Sequence, residues 1–190
     1  MSAIKCPACT TIVMTDGLLE PDLSMKSCSK CDGVWLPSQA YWAWLERQHG
    51  TTRSEPTLST GVDQIAPAAD PPLARRCPEC GHFLTRAKVG HGLTFHVDRC
   101  GTCGGMWFNH GEWDALRAQQ LHTRLHFVFS AAWQAAVARE DRLTAHEEIL
   151  RQKLGATDLD EIKRVKQWIE SHPHRAELFA YLQPEDAGHV

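Results

Sequence analysis

The sequence predicts a small metal-stabilised α+β protein, in which two cysteine-bearing β-hairpin modules precede an all-helical C-terminal region. Three observations support this fold class. The eight cysteines of the 190-residue chain form four Cys-x-x-Cys pairs with none left over. These pairs occur in two similar copies, so the chain contains an internal repeat. After the second copy, Glu112 to Leu154 contains neither glycine nor proline, and apolar residues recur mostly every four positions, as on one helix face.

The first module is expected at residues 4–49. Its pattern is Cys-Pro-Ala-Cys, then 18 residues, then Cys-Ser-Lys-Cys-Asp-Gly-Val-Trp-Leu. Thr11 to Met14 predicts a short strand, and Asp16-Gly17 is a typical signal for a hairpin turn. Ser38 is suited to capping a helix that runs through the aromatic residues after it. The module should therefore be a hairpin followed by one short helix.

The second module is expected at residues 77–116. Its pattern is Cys-Pro-Glu-Cys, then 19 residues, then Cys-Gly-Thr-Cys-Gly-Gly-Met-Trp-Phe. His82 to Val89 predicts a strand, and Gly90 to Gly92 predicts a turn. The second strand follows from an alternation of apolar and polar residues, with the apolar set being Leu93, Phe95 and Val97.

Three further segments complete the expected organisation. Residues 50–76 are rich in Thr, Ser, Pro and Ala, lack apolar periodicity, and predict a flexible linker. Residues 112–183 predict the C-terminal helical region, with a break near Glu140 to Arg142 equally reasonable. Residues 184–190 are expected to be a tail.

The cysteine spacing indicates two zinc ions per chain. A Cys-x-x-Cys turn presents two sulfurs to one ion, and a hairpin brings two such turns together into a tetrahedron. The expected ligands are Cys6, Cys9, Cys28 and Cys31 in the first site, and Cys77, Cys80, Cys100 and Cys103 in the second. Because all four positions of each site are then protein sulfur, no position remains for an activated water, and no catalytic residue is expected.

Other interpretations of the cysteines remain open. The same four-sulfur tetrahedron binds iron. Thiol redox chemistry and disulfides are less well supported, because no pair opens a helix after a strand and we expect no signal peptide. His82 and His96 lie within the second module, but with four sulfurs available they are interpreted as solvent-facing strand residues.

Several aromatic and acidic residues invite two interpretations. Trp35 and Trp107 each follow the last cysteine of a module by four positions, and we expect each indole to pack over the cysteine turns of its own module and exclude water. Glu112 with Asn109 predicts a helix-capping pair. The helix that begins at Ser38 carries a dense cluster of three aromatic residues, Tyr41, Trp42 and Trp44. Their side chains cannot all face the same way, which allows an exposed docking patch.

Composition limits the class of partner and the location. The formal net charge is −3, and bound thiolates would make it more negative, so nucleic-acid binding remains open but is not favoured by charge. The modest basic groups near a metal site are Arg75, Arg76, Arg86, Lys88 and Arg99. No apolar run approaches the ~20 residues that span a membrane, and the N-terminus has no apolar signal core, so we expect no membrane association and a cytoplasmic location.

The two modules resemble the zinc ribbons of the transcription-factor-IIB type. The resemblance rests on Cys-Pro-x-Cys, a hairpin, and Cys-x-x-Cys followed by Gly, an apolar residue and Trp. The second module follows the pattern best, from Cys103 through Glu112, whereas the first departs after Leu36. The resemblance implies zinc, a ribbon fold and, loosely, a role in transcription.

These observations predict a non-catalytic zinc-binding protein that acts as a macromolecular interaction module. A protein–protein scaffold is the favoured role, because the charge is negative and aromatic residues are plentiful. A homodimer through the long helix is a further expectation. The alternative is a nucleic-acid-binding or transcription-associated regulator that acts through the second module.

Overall fold

The computed structural model describes residues 4–48 and 74–183. They fall into two compact units, one extending to Val137 and the other beginning at Ala138. Most of the expected linker at 50–76 and the whole expected tail at 184–190 lie outside the described residues.

The first module forms a hairpin, a short strand and a helix. Strand β1 (Thr15–Glu20) pairs with β2 (Leu23–Ser27), β3 (Val34–Leu36) follows, and helix α1 (Ser38–Gln48) completes the module. The turn predicted at Asp16-Gly17 is wrong, because both residues lie within β1. The chain reverses at Pro21-Asp22 instead, where proline restricts φ and Asp22 adopts φ 62°. The strand predicted from Thr11 is reduced to one bridge between Val13 and Lys5.

The second module repeats this order. Strands β4 (Leu84–Gly90) and β5 (Leu93–Cys100) form the predicted hairpin, and β6 (Met106–Phe108) follows the last cysteine. The hairpin turn is His91-Gly92, with φ of 53° and 86° at the two positions. Positive φ at both central residues is the geometry whose twist matches that of paired strands.

One six-stranded antiparallel sheet joins the two modules, in the order β1-β2-β3-β6-β5-β4. The central contact is between the two short strands, β3 and β6, and Trp35 lies directly opposite Trp107 in its register. From either edge of the sheet to its centre, the first, second and third strands of one module therefore follow in chain order. The predicted α+β class with two hairpin modules is confirmed, and the sheet shows that the modules pair directly.

The helical region after the second module breaks earlier than expected. Helix α2 (Glu112–Ala118) ends well before Glu140, and a 3-10 turn (His122–Arg124) and helix α3 (Leu125–Val128) precede α4 (Ala131–Leu154). The alternative break near Glu140 is wrong, because α4 continues through it. The chain turns early although it lacks glycine and proline there, since the turn buries three apolar side chains in the core, Leu121, Leu125 and Val128.

The main core lies between this sheet and the helices that follow each module. It contains side chains from both modules and from the turn after α2, including Leu36, Tyr41, Phe95, Phe108 and Leu116. The start of α4 closes over β4: Trp133 Nε1 donates a hydrogen bond to the Val89 carbonyl at 2.8 Å. A Cβ at Gly90 would come within 2.4 Å of Val137, so this close approach requires glycine.

The second unit comprises the remainder of α4 with α5 (Ala156–Ser171) and α6 (Arg175–Leu182). Its buried apolar side chains, among the described residues, are Leu159 and Ile169. Within residues 4–48 and 74–183, no helix combines the length and the apolarity needed to cross a membrane.

Candidate metal centres

Four backbone turns of the same design carry the cysteines. In each Cys-x-x-Cys turn, or knuckle, the carbonyl of the first cysteine accepts a hydrogen bond from the N–H four residues later, at 2.8 to 2.9 Å. That later residue has a positive φ in all four knuckles: Thr10, Asp32, Gly81 and Gly104. The left-handed residue ends each turn, so both cysteine side chains of a pair point to the same side of the backbone.

The structure brings the eight predicted ligands together as two sets of four. The sulfurs of Cys6, Cys9, Cys28 and Cys31 lie within 4.8 Å of one another, and so do those of Cys77, Cys80, Cys100 and Cys103. The Sγ atoms of Cys6 and Cys31 are 3.7 Å apart, and those of Cys77 and Cys103 are 3.5 Å apart. A tetrahedral zinc with Zn–S bonds of about 2.3 Å requires sulfur separations of about 3.8 Å.

The electrostatics of each set suit a cation. Burial acts to raise the pKa of Cys28 and Cys100, but backbone N–H donors outweigh it and lower these pKa values to about 7 and about 6. In contrast, burial and then the neighbouring thiols raise the pKa of Cys31 and Cys103. Each set thus contains one readily formed thiolate beside a thiol that resists ionisation, and a divalent cation supplies the charge that lets all four ionise.

The chemistry of these donors therefore fits zinc in a closed structural site. The first cysteine of every pair is buried and the second is half-buried, so the sulfurs are shielded from solvent on one side. Neither His82 nor His96 belongs to a candidate metal group among the described residues. His82 is exposed, with Nδ1 3.4 Å from the sulfur of Cys80.

The two tryptophans are exchanged between the modules. We expected each indole to cover the knuckles of its own module, and the structure corrects this. A Cβ on Gly33 would come within 2.2 Å of the Trp107 ring, and a Cβ on Gly105 within 2.2 Å of the Trp35 ring. Each glycine follows the last cysteine of a module by two positions, so each indole lies against a knuckle of the other module.

A buried polar network, only part of which the sequence predicts, supports the second module. Asn109 donates from its backbone N–H and its side chain to the Glu112 carboxylate, at 2.7 and 2.8 Å. Arg75 donates to the Asn109 side-chain oxygen at 3.2 Å and to Asp98 at 2.5 Å. Glu112 is completely buried, and Arg75 and Asp98 are 5 % exposed. The charge of Arg75 next to the second module was the one sign in the sequence of the rest of this network. Its ion-pair partner, Asp98, lies in β5, 23 residues further along the chain.

Glu112 does not cap α2 in the predicted way. The residue at the helix start is Gly111, with φ 79°, and no side chain caps the first turn. The Glu112 carboxylate instead reaches back to the loop that leaves β6. Burial, followed by the charge of Asp98, raises its pKa to about 7, although Asn109 and Arg75 act in the opposite direction.

The aromatic cluster of α1 divides between core and surface. Tyr41 and Trp44 are buried, and the Tyr41 hydroxyl donates a hydrogen bond to the His122 carbonyl at 3.0 Å. Trp42 is 42 % exposed, and its ring centre lies 5.5 Å from that of His126. The docking patch suggested by the sequence is thus reduced, within α1, to Trp42.

Comparison with known proteins supports the assignment of the second metal site. Residues 76–119 match the model of the transcription factor zinc-finger family, a zinc ribbon of the transcription-factor-IIB type. No curated protein and no solved structure matches the chain. The family match and the two four-cysteine groups together support two zinc ions. The second module therefore has the sequence and the sulfur geometry of a transcription-factor-type zinc ribbon, as its resemblance predicted.

Proposed function

We propose that this protein is a non-catalytic scaffold, in which zinc stabilises the paired modules and a protein partner binds the helical surface. Each set of four cysteines offers a metal four protein sulfurs, which leaves no open position for substrate or water. The proposal therefore gives the metal a folding role, and it places the interaction on surfaces away from the sulfurs.

The observation that carries the proposal is the exposed apolar surface of the second unit. Among the described residues of this unit, nine large apolar or aromatic side chains are exposed, in contrast to the two that are buried: Leu143, Ile149, Leu154, Ile162, Val165, Trp168, Phe179, Tyr181 and Leu182. Three of them, at three-residue spacing, form a stripe along α5: Ile162, Val165 and Trp168. Exposed apolar stripes of this kind are typical of protein interaction sites.

The charges of the second unit also favour a protein partner. Basic side chains on its helices pair with acidic neighbours, as in Arg151 with Glu147 and Arg164 with Glu161. Alternation of sign along a helix produces no continuous positive surface for phosphates. In the first unit, Arg75 is buried against Asp98 and does not add to a basic surface.

The test compares two triple variants of α5 in affinity capture. Ile162→Ser, Val165→Ser and Trp168→Ser remove the apolar stripe, whereas the control carries Asp160→Ser, Arg164→Ser and Gln167→Ser on the opposite face without changing net charge. We expect wild-type and control protein to capture the same partner in stoichiometric amount, and the stripe variant to lose it.

Light scattering on the same proteins identifies the case in which the partner is a second copy. A dimeric mass for wild type and control, and a monomeric mass for the stripe variant, would support self-association through the helices. Monomeric scattering together with no stoichiometric capture by any of the three proteins would overturn the scaffold proposal.

A second candidate function is nucleic-acid binding through the second module. Its support is the transcription factor zinc-finger match at residues 76–119 and one exposed cationic-aromatic pair. Phe83 is 59 % exposed, and the Arg76 guanidinium lies 4.2 Å from its ring centre. Such pairs contact phosphates and stack on bases in single-stranded nucleic acids.

Fluorescence anisotropy with single-stranded and duplex probes over a salt series tests this candidate. The variant carries Arg76→Gln and Phe83→Ala, and the charge-matched control carries Arg139→Gln in the second unit. We expect the variant to bind more weakly and with a smaller salt slope than the control. Absence of salt-dependent binding by wild type at low ionic strength excludes the candidate.

A further inference from the structure

We propose that Trp35 and Trp107 are positioning residues for the zinc site of the opposite module, so that the two sites bind zinc cooperatively. The tryptophans were expected to serve their own modules. Their exchange across the centre of the sheet gives each metal site a wall that belongs to the other repeat.

The first line of support is the fit of each indole against a glycine. Cζ2 of Trp107 lies 2.2 Å from where a Cβ of Gly33 would be, and Cζ2 of Trp35 lies equally close to a Cβ position on Gly105. No side chain larger than hydrogen fits these contacts. Each indole therefore packs directly on the backbone that connects the last knuckle of one module to its short strand.

The second line of support is a hydrogen bond into the opposite knuckle. Trp35 Nε1 donates to Glu79 Oε1 at 3.0 Å, and Glu79 lies between Cys77 and Cys80. Ser38 of the first module also approaches the second: a Cβ on Gly104 would be 2.8 Å from its hydroxyl oxygen. The first module therefore contacts both knuckles of the second site.

The third line of support is the shared interior of the two sites. Trp35 and Trp107 are 0 % and 1 % exposed, and they lie in one buried cluster with all eight cysteines. Their strands pair only over three residues, Val34 to Leu36 with Met106 to Phe108. Each short strand directly follows a knuckle of its own module and carries the indole that packs against the opposite module. Loss of metal from one module therefore frees the indole that covers the opposite site. Coupling of this kind is reciprocal by thermodynamic linkage.

The test measures zinc release at each site separately in the full-length zinc-loaded protein. A competing chelator is added, free thiols are alkylated over time, and peptide mass spectrometry reports the rate for each cysteine. The variants are Trp35→Phe and Trp107→Phe, and Trp42→Phe is the control because that indole is partly exposed on α1.

We expect each tryptophan substitution to act mainly on the zinc site of the opposite module. Trp35→Phe should accelerate alkylation of the second set of cysteines, and Trp107→Phe that of the first set, each by roughly five- to tenfold or more, in the range of ordinary coupling between sites. Trp42→Phe should leave both rates unchanged. Cooperative binding adds a smaller acceleration at the variant's own module. Acceleration there that is as large as at the opposite module, or larger, would overturn the proposal.

A milder variant keeps the test decisive if the core tryptophans cannot be replaced without unfolding. Glu79→Ala removes the acceptor for Trp35 and gives the second module the Cys-Pro-Ala-Cys knuckle that the first already has. We expect a smaller acceleration, roughly twofold to fivefold at the second set and less than that at the first. Separately, Cys28→Ser should accelerate release from the intact second site, and an unchanged rate there would contradict cooperative binding.

Discussion

The two modules offer a metal the same four sulfurs but build the surrounding framework differently. The left-handed position that ends each knuckle is occupied by Thr10 and Asp32 in the first module, and by Gly81 and Gly104 in the second. A residue with a Cβ adopts this conformation at a cost of roughly 1 to 2 kcal/mol, whereas glycine adopts it freely. The first module is therefore the more strained of the two.

The modules also differ in the buried polar side chains around the loop that follows the last strand. The second has the buried network of Arg75, Asp98, Asn109 and Glu112. At the position that corresponds to Glu112, the first module has Ala40. It therefore has no counterpart of the carboxylate that, in the second module, binds the loop after β6. The comparison teaches that cysteine spacing supplies the same four donors to both sites, while backbone strain and buried polar support differ between them. We therefore expect the first site to release zinc before the second.

The largest effect should follow complete removal of zinc. Structural zinc contributes on the order of 10 kcal/mol of apparent binding energy, which is also folding energy for small modules. We expect two zinc ions per chain by elemental analysis, early loss from the first site, and disappearance of the near-ultraviolet circular dichroism of the buried tryptophans after chelation. Zinc addition should restore the signal. A chelated protein that keeps this signal would contradict a structural role for the metal.

Replacement of Glu112 should produce the next largest effect. Glu112→Ala leaves two buried Asn109 donors without their acceptor, and we expect the free energy of unfolding to fall by about 3 kcal/mol. The control is Asp114→Ala on the exposed side of the same helix turn, for which a change within about 0.5 kcal/mol is expected. Urea unfolding of the zinc-saturated proteins measures both. Equal effects would show that the network does not support the second module.

The pH dependence of stability should identify the same carboxyl. The pKa of Glu112 is raised from 4.5 to about 7, so the folded protein binds this proton more tightly than the unfolded chain does. Its contribution to stability is fully present below pH about 4.5 and is lost as the pH rises to about 7.

Glu112→Gln isolates this contribution from the metal sites. Ionisation of the thiols that bind zinc acts in the opposite direction, but it acts equally in both proteins. Between about pH 5 and pH 7, with saturating zinc, we expect wild type to lose stability relative to Glu112→Gln. Parallel pH profiles in urea unfolding would rule out the raised pKa.

The smallest expected effects come from exchanging the knuckle residues. Thr10→Gly relieves a left-handed threonine and should stabilise the first module by about 1 kcal/mol, while Gly81→Thr should destabilise the second by about 1 to 2 kcal/mol. The space around a Cβ at Gly81 is open, so backbone strain alone determines that result. Thermal unfolding and the chelator release rate measure both. Changes of the opposite sign would show that strain does not distinguish the modules.

Much of the local structure was predictable because its causes lie within a few residues. The hairpin of the second module followed from the alternation after Leu93 and from the turn residues before it, and the structure confirms its strands. The turn of the first hairpin was predicted at the wrong residues. Asp16-Gly17 resembles a turn as closely as Pro21-Asp22 does, and only strand pairing distinguishes the two. The helix break after Ala118 has no local signal, because burial of Leu121 and Leu125 in the core causes it.

The sequence by itself determined the donor chemistry and the grouping of sulfurs, because a Cys-x-x-Cys turn is a local geometry that presents two ligands to one ion. Only the tertiary structure decided that the two modules share one sheet, that their tryptophans are exchanged, and that Arg75 and Glu112 lie in a buried network with Asp98. These features depend on pairing between β3 and β6 and on packing between distant segments, and such contacts are selected by the burial of the whole core, which no short pattern of residues encodes.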